Sequence, residues 1–461
     1  MIQDVIKDKK SLFDTASQTI LREQENKARM VVIQQGSIVA NTSQQSAGIC
    51  ARVYKNGVYG FSSIAEVSGE AAERVLKAAT ENADVLEKHA VKKKAPFSPY
   101  KNGMVLPKKC IEDLEQKKII DFCKDVDTYI AGKYTDLVNR RVIYREDSAE
   151  KFIYTSDACD GHTIYPRCAI YISMAVAGKD GNPVELMDYF GGNGNLSDHV
   201  NNIEDVYKRA DDLYNTLRLK AEGVYADAGV KTVILDPDVA GMIAHEAVGH
   251  TVEADLVLGG SVAGPNLNKQ VASELISIVD FANEAFGQTT DIPVYLDDEG
   301  IEAQDAVLIE NGILKSYMHN RETADHFGVK PMGNARGWGF SDEPLIRMRN
   351  TCVLPGKDKL EDMIASVDDG YYLTKTGNGQ ADLTGEFMFG INMGYEIKKG
   401  KLGKAILDTT VSGVAFDMLK SVDMVSDVPT WSNCGTCGKK QPMCVTMGGP
   451  SIKCKLMIGG R

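Results

Sequence analysis

The sequence holds no apolar run of the roughly 20 residues that a membrane-spanning helix requires, because charges interrupt every hydrophobic stretch first. Its opening residues, Met1-Ile-Gln-Asp-Val-Ile-Lys-Asp-Lys-Lys, lack the apolar core of a secretory leader. A cytoplasmic protein is therefore expected, with its ten cysteines mostly reduced. Positive charge is also in short supply: 52 Lys and Arg stand against 64 Asp and Glu, a net charge of −12. Beyond Lys92-Lys93-Lys94 and Lys108-Lys109 there is no basic patch, so the dense cationic face that displaces counterions from nucleic acid is missing. The glycine-rich stretches Phe190–Asn195 and Thr376–Gly379 lack the Lys-Ser/Thr of a phosphate loop and read as turns.

Histidine is scarcer still, at 7 in 461 residues, yet two of them fall in one hexapeptide, His245-Glu246-Ala247-Val248-Gly249-His250. Neutral imidazoles are good zinc ligands, and a glutamate beside the first can take a proton from a metal-activated water. The bland alternative is a satisfied, non-ligating pair of rings. The familiar zinc signature spaces its histidines four apart; here the spacing is five, which on an ideal helix turns the second ring about 140° away from the first. The segment is therefore predicted to be irregular, through a π-bulge or a break at Gly249. Asp236-Pro237 is a helix start, Val239, Met242, Ile243 and Ala247 recur at helical spacing, and Gly259-Gly260 ends the element.

A catalytic zinc needs a third protein ligand. Glu274, 24 residues past His250, is one candidate, as a carboxylate on a following helix. The tail offers Cys434, Cys437, Cys444 and Cys454. Cys434-Gly-Thr-Cys437 is a C-x-x-C pair that, with the other two thiols, reads alternatively as a structural zinc or cluster site independent of the histidines, although no second C-x-x-C follows.

His245–His250 followed by Thr-Val-Glu-Ala-Asp resembles the signature of the TldD/PmbA family, zinc-dependent peptidases once described as modulators of DNA gyrase. Leu296-Asp-Asp-Glu-Gly300, Leu308–Lys315, Leu354-Pro-Gly-Lys357, Gly379-Gln380 and Ile458-Gly-Gly460 are similar to family segments in the same order. The likeness covers residues 225 to 461 well and the first half loosely. It implies the catalytic TldD-like member, with Cys437, in Cys437-Gly438-Lys439, as third ligand beside His245 and His250. It also implies unfolded or extended peptides as substrates, and a homodimer or a heterodimer with a PmbA-like subunit.

At this length two or three domains are expected, since single cores rarely exceed about 250–300 residues. The fold class is α+β: an N-terminal α+β domain with antiparallel sheet over 1–224, with a sub-boundary at the proline- and lysine-rich linker 91–109, and a C-terminal strand-rich, barrel-like domain over 225–461 carrying the metal-binding helix. Residues 3–29 carry the spacing of an amphipathic helix; 30–40 and 47–63 read as strands, with Lys55-Asn56-Gly57-Val58 as a tight turn. Helices are predicted at 65–90, 110–132 and 201–222, with strands between 134 and 190.

The expected activity is zinc-assisted peptide hydrolysis with Glu246 as the base. Arg336, in a glycine-rich loop, is a candidate substrate-binding group, and His319 and His326 are placed near Arg321 in a predicted helix as core or surface residues. The rival class is a non-catalytic, zinc-structured peptide-binding or scaffold protein. Intact Glu246 argues against it, since a structural site needs no such carboxylate and fills all four zinc positions with protein.

Overall fold

A computed structural model describes residues 3–91, 93–100, 102–109 and 114–459, without the side chains of Asn433 and Cys434. Lys92, Gly460 and the Cys434 thiol of the C-x-x-C reading thus lie outside the described residues.

The first half is one sheet backed by helices. Strands β1 (Gln18–Gln34), β2 (Ser37–Lys55), β3 (Val58–Ile64), β4 (Gly103–Val105), β5 (Leu137–Thr155), β6 (Cys159–Ala177) and β7 (Pro183–Asn193) run in the order β3-β2-β1-β5-β6-β4, with β7 also on β6. Every pairing is antiparallel except β4 with β6. The predicted turn at Asn56-Gly57 joins β2 to β3. Helices α1 (Gly69–Lys88), α2 (Gln116–Lys133) and α3 (Ile203–Ala221) fall where periodicity put them and cover one face. Leu21 of β1 packs in the α1 core with Val75 and Ala79, and Val31 and Ile33 pack with Ile119, Val126 and Leu213 of α2 and α3.

The helix expected over 3–29 is not there. A short 3-10 turn, Lys7–Leu12, is followed directly by β1. Leu21, Val31 and Ile33 of β1 meet the helices, while on the other face Arg22 donates to the carbonyls of Gly339 and Asp342, and Gln24 and Asn26 to that of Trp338. From Arg22 to Lys27 both faces of the strand carry polar residues, so no apolar/polar alternation marks it in sequence.

The second half carries a five-stranded barrel. Strands β8 (Gly229–Leu235), β9 (Asp369–Ala381), β10 (Glu386–Lys398), β11 (Thr409–Val414) and the last strand, Ile452–Ile458, close the ring β9-β8-last-β11-β10-β9. The fold is thus α+β with an antiparallel first sheet and a barrel-bearing C-terminal region, as the sequence implies. Beside the barrel, a second sheet ends in a hairpin, β12 (Thr430–Cys437) and β13 (Met443–Gly449), with the strand Ile452–Ile458 then following as β14.

Helix α4 (Pro237–Ile243) leaves β8 and lies on this hairpin. Asp236 caps it by accepting from Val239 N–H at 3.0 Å, with Pro237 opening the helix. A side chain at Gly241 would come within 2.8 Å of the Gly448 backbone nitrogen, so the bare backbone is what lets α4 approach β13.

Candidate metal centre

Beyond Ile243 the helix changes pitch. Ala244–Gly249 form a π turn, and His250–Val252 a 3-10 turn. The His250 N–H donates to the His245 carbonyl, the five-residue bond that defines a π turn, so residues five apart are stacked instead of splayed. The two imidazole centroids lie 5.1 Å apart with their planes at 81°. Of the two irregularities expected, the structure adopts the π turn. Gly249 keeps helical torsions (φ −53°, ψ −52°), and a Cβ there would overlap Met348 Sδ, so a side chain would have to push Met348 aside.

Cys437 ends β12 and places Sγ 3.3 Å from His250 Nε2. One donor atom from each of His245, His250 and Cys437 falls within 4.8 Å of the others. Zinc bonded to nitrogen at about 2.1 Å and to sulfur at about 2.3 Å sets tetrahedral donors roughly 3.4–3.7 Å apart, so the trio needs only a small contraction to fit. His245 is buried, and its Nδ1 has no hydrogen-bond partner. A buried imidazole that clusters with a thiol and a second imidazole suits a cation-binding role.

The electrostatics agree. Burial opposes charge on Cys437, but hydrogen bonds and attraction from His245 and His250 outweigh it and hold the thiol down to about 3. Burial also opposes charge on His250, and Cys437 and Glu253 override it, pushing the ring up to about 10. Both shifts favour charge separation across the pair, and a metal ion binding there would compete with the proton they share.

Glu246 is half-buried, with Oε2 3.7 Å from His250 Nε2, on the side of the ring that faces the thiol. Sequence reasoning gave no role to the groups around the ligands. Glu253 Oε2 lies 3.0 Å from His250 Nδ1, Lys439 Nζ reaches Glu253 at 3.1 Å and Asp255 at 2.7 Å, and the buried Arg347 donates to the carbonyls of Cys437 and Gln441 at 2.9 and 2.7 Å. The one local signal was the placement of Glu253 three residues after His250, the spacing of neighbours on a helical turn.

Other candidates go elsewhere. Glu274 sits exposed in a turn, not on a helix, and is not among the described residues whose donor atoms cluster with the histidines. Cys454 is buried in the barrel core with Leu456 and Val233, and Cys444 faces Thr436 across the hairpin, so neither joins Cys437 in a four-thiol site. His319 precedes the helix Arg321–Phe327 and shares a hydrogen bond with Thr323, while burial pushes it down to about 4; His326 sits in the last turn. Arg336 donates to the carbonyls of Met348 and Cys444 at 2.8 and 3.1 Å. It also lines a cleft of about 590 Å³ between the second face of the first sheet, at Asn26, Gln44 and Ala149, and the C-terminal residues Pro293, Trp338 and Met443. Met443 pairs with Cys437 across the hairpin, so the cleft wall adjoins the thiol strand.

A family model described as the PmbA/TldA metallopeptidase C-terminal domain matches residues 228–460, and one described as PmbA/TldA metallopeptidase domain 1 matches 21–83. The chain is 32% identical to the zinc metalloprotease TldD homolog of Saccharolobus solfataricus over 79% of its own length and 81% of the relative's. It is 32% identical to a metalloprotease of Methanocaldococcus jannaschii over 96% of this chain and 97% of the other. The solved structure of TldE from Thermococcus kodakarensis superposes with a TM-score of 0.77 at 17% identity, covering 99% of each chain, a likeness of fold.

Proposed function

The chain belongs to the TldD/PmbA family of metallopeptidases, and from that premise we propose that it is a zinc peptidase whose metal is held by His245, His250 and Cys437 and whose general base is Glu246. The observation that carries the reading is the convergence of two imidazoles and one thiol, with a donor atom of each within 4.8 Å of the others. When bound, zinc supplies Lewis acidity toward a carbonyl and makes water acidic near neutral pH.

The chain's own groups then do the rest. Glu246 takes the proton of the attacking water and returns it to the departing amine, which suits its half-exposed place beside the ligand ring. The cleft bordered by Arg336 and Met443 receives the substrate as an extended, unfolded peptide. Asn26, Gln44 and Ser46 in its lining offer uncharged hydrogen-bonding groups that suit a peptide main chain, beside charged groups such as Lys27, Asp147 and Arg167.

The same reading divides the chain near residue 225, supported by the C-terminal family model beginning at 228, and pairs it with a second copy or a PmbA-like subunit. Among the described residues no helix is long and apolar enough to cross a membrane, and cytoplasmic residence belongs to the reading as well.

Incubation with an unfolded polypeptide, with and without a chelator, tests it. Cleavage only in the zinc-loaded sample supports hydrolysis. An uncut but captured polypeptide in both samples would instead establish the non-catalytic binding protein.

A further inference from the structure

Glu253 is fully buried, a costly position for a carboxylate unless it is paired and hydrogen-bonded. Its Oε2 has two partners: His250 Nδ1 at 3.0 Å and Lys439 Nζ at 3.1 Å. Lys439 stands two residues beyond Cys437 and is also held by both Asp255 oxygens, at 2.8 and 2.7 Å, and by the Ile346 carbonyl at 3.2 Å. One carboxylate oxygen therefore joins the helix that carries one ligand to the hairpin that carries another.

The chemistry of each link is fixed. An ionised carboxylate only accepts, so a proton stays on His250 Nδ1, and Nε2, which faces Cys437, is the nitrogen left to donate its lone pair when a metal displaces the other proton. Lys439 offsets the charge that makes Glu253 such an acceptor. Because Lys439 is on the hairpin, the same ion pair that orients the ring also seats Cys437 against it.

We propose that Glu253 and Lys439 are positioning residues: a clamp that fixes the His250 tautomer for metal donation through Nε2 and docks the thiol-bearing hairpin onto the π turn. The inference rests on the reading of His245, His250 and Cys437 as a zinc site. A salt bridge of purely structural value would lower resistance to unfolding but leave the zinc affinity of the folded protein alone.

Metal-stripped wild type, Glu253→Ala, Glu253→Gln and Lys439→Met are titrated with zinc against a chromophoric chelator, and separately with Co(II) to read the thiolate-to-metal absorption. Folding is checked by circular dichroism. Glu253→Ala and Lys439→Met are expected to bind zinc about 10–100-fold more weakly than wild type, the usual consequence of removing a ligand's orienting partner. Glu253→Gln keeps an acceptor oxygen and should lie closer to wild type. The Co(II)–thiolate band should weaken in Lys439→Met as the hairpin loosens.

Wild-type affinity in both Glu253→Ala and Lys439→Met would overturn the clamp while leaving the zinc assignment intact. No zinc uptake and no Co(II)–thiolate band in the wild type would overturn the assignment and the clamp together. If those two variants fail to fold, Asp255→Asn decides. It leaves the Glu253–Lys439 pair in place but unbraced, so severalfold weaker zinc binding supports the clamp and unchanged binding overturns it.

Discussion

Cys437 Sγ lies 3.3 Å from His250 Nε2 although 187 residues separate the two in the chain. The contact exists because α4 lies on β13 at Gly448 and because Arg347 holds the turn of the hairpin by its carbonyls. The candidate centre is therefore a product of tertiary packing, and its parts can be removed one at a time.

Replacing Cys437 with serine exchanges a thiolate for a neutral hydroxyl. Metal content of the purified protein, measured by elemental analysis, should fall well below one equivalent, with affinity reduced by more than about 100-fold, beyond the usual effect of an orienting group. Metal content equal to wild type would remove Cys437 from the ligand set.

Glu246→Gln preserves shape and removes the base. Zinc should remain bound while the rate of peptide cleavage drops by about 10²–10⁴-fold, the usual contribution of a positioned base. Undiminished cleavage by this variant would assign the proton transfer to another group.

Gly249→Ala adds a methyl where Met348 Sδ already sits. Urea denaturation should show a loss of about 1–3 kcal/mol, typical of overpacking, and a smaller loss when the same change is made in a Met348→Ala background. If the single variant is as stable as wild type, the close packing of Met348 on the π turn is not what excludes a side chain.

Glu23, on β1, is fully buried; it accepts from Val5 N–H at 3.1 Å through Oε2, and its Oε1 has no partner. Burial first, and then the like charges of Asp4, Glu150 and Glu25, push it up to about 7 from an ordinary 4.5. The folded carboxyl thus keeps its proton over a range in which the unfolded one ionises. Its contribution to stability is full below about 4.5, declines as pH rises, and is lost above about 7. Glu23→Gln cannot ionise, so its stability advantage over wild type should grow by roughly 2–3 kcal/mol between pH 4.5 and pH 7. Denaturation curves at several pH values check this; parallel trends for the two proteins would refute it.

Much of the centre was legible because its signals are local. Asp236-Pro237 announced α4, and a five-residue histidine spacing already demanded a departure from α-helical pitch, which the π turn supplies. Cys437 as third ligand was different: the residues alone left Glu274 open, and the family likeness chose the thiol. The packing now favours that choice, since Glu274 is exposed in a turn. The hydrophobic periods of α1, α2 and α3 were equally readable, each helix offering one apolar stripe to one sheet.

What escaped depends on distant partners. Arg22 sits in a strand that reads as a polar helix until its partner Asp298 is known, 3.0 Å away in space and in the other half of the chain. Glu253 and Lys439 are ordinary surface residue types, and their pairing across the fold is visible only once the helix and the hairpin are packed together. Closure of the barrel through β9 and β10 likewise depends on which strands meet, and periodicity carries no information on that.

The great separation between the imidazoles and the sulfur has a consequence for biosynthesis. A growing polypeptide displays both rings long before the sulfur is added, and β14, which slots between β8 and β11, emerges later still. The proposed ligand set is therefore complete only after translation has passed residue 437, and a product of premature termination upstream of it lacks the third proposed ligand.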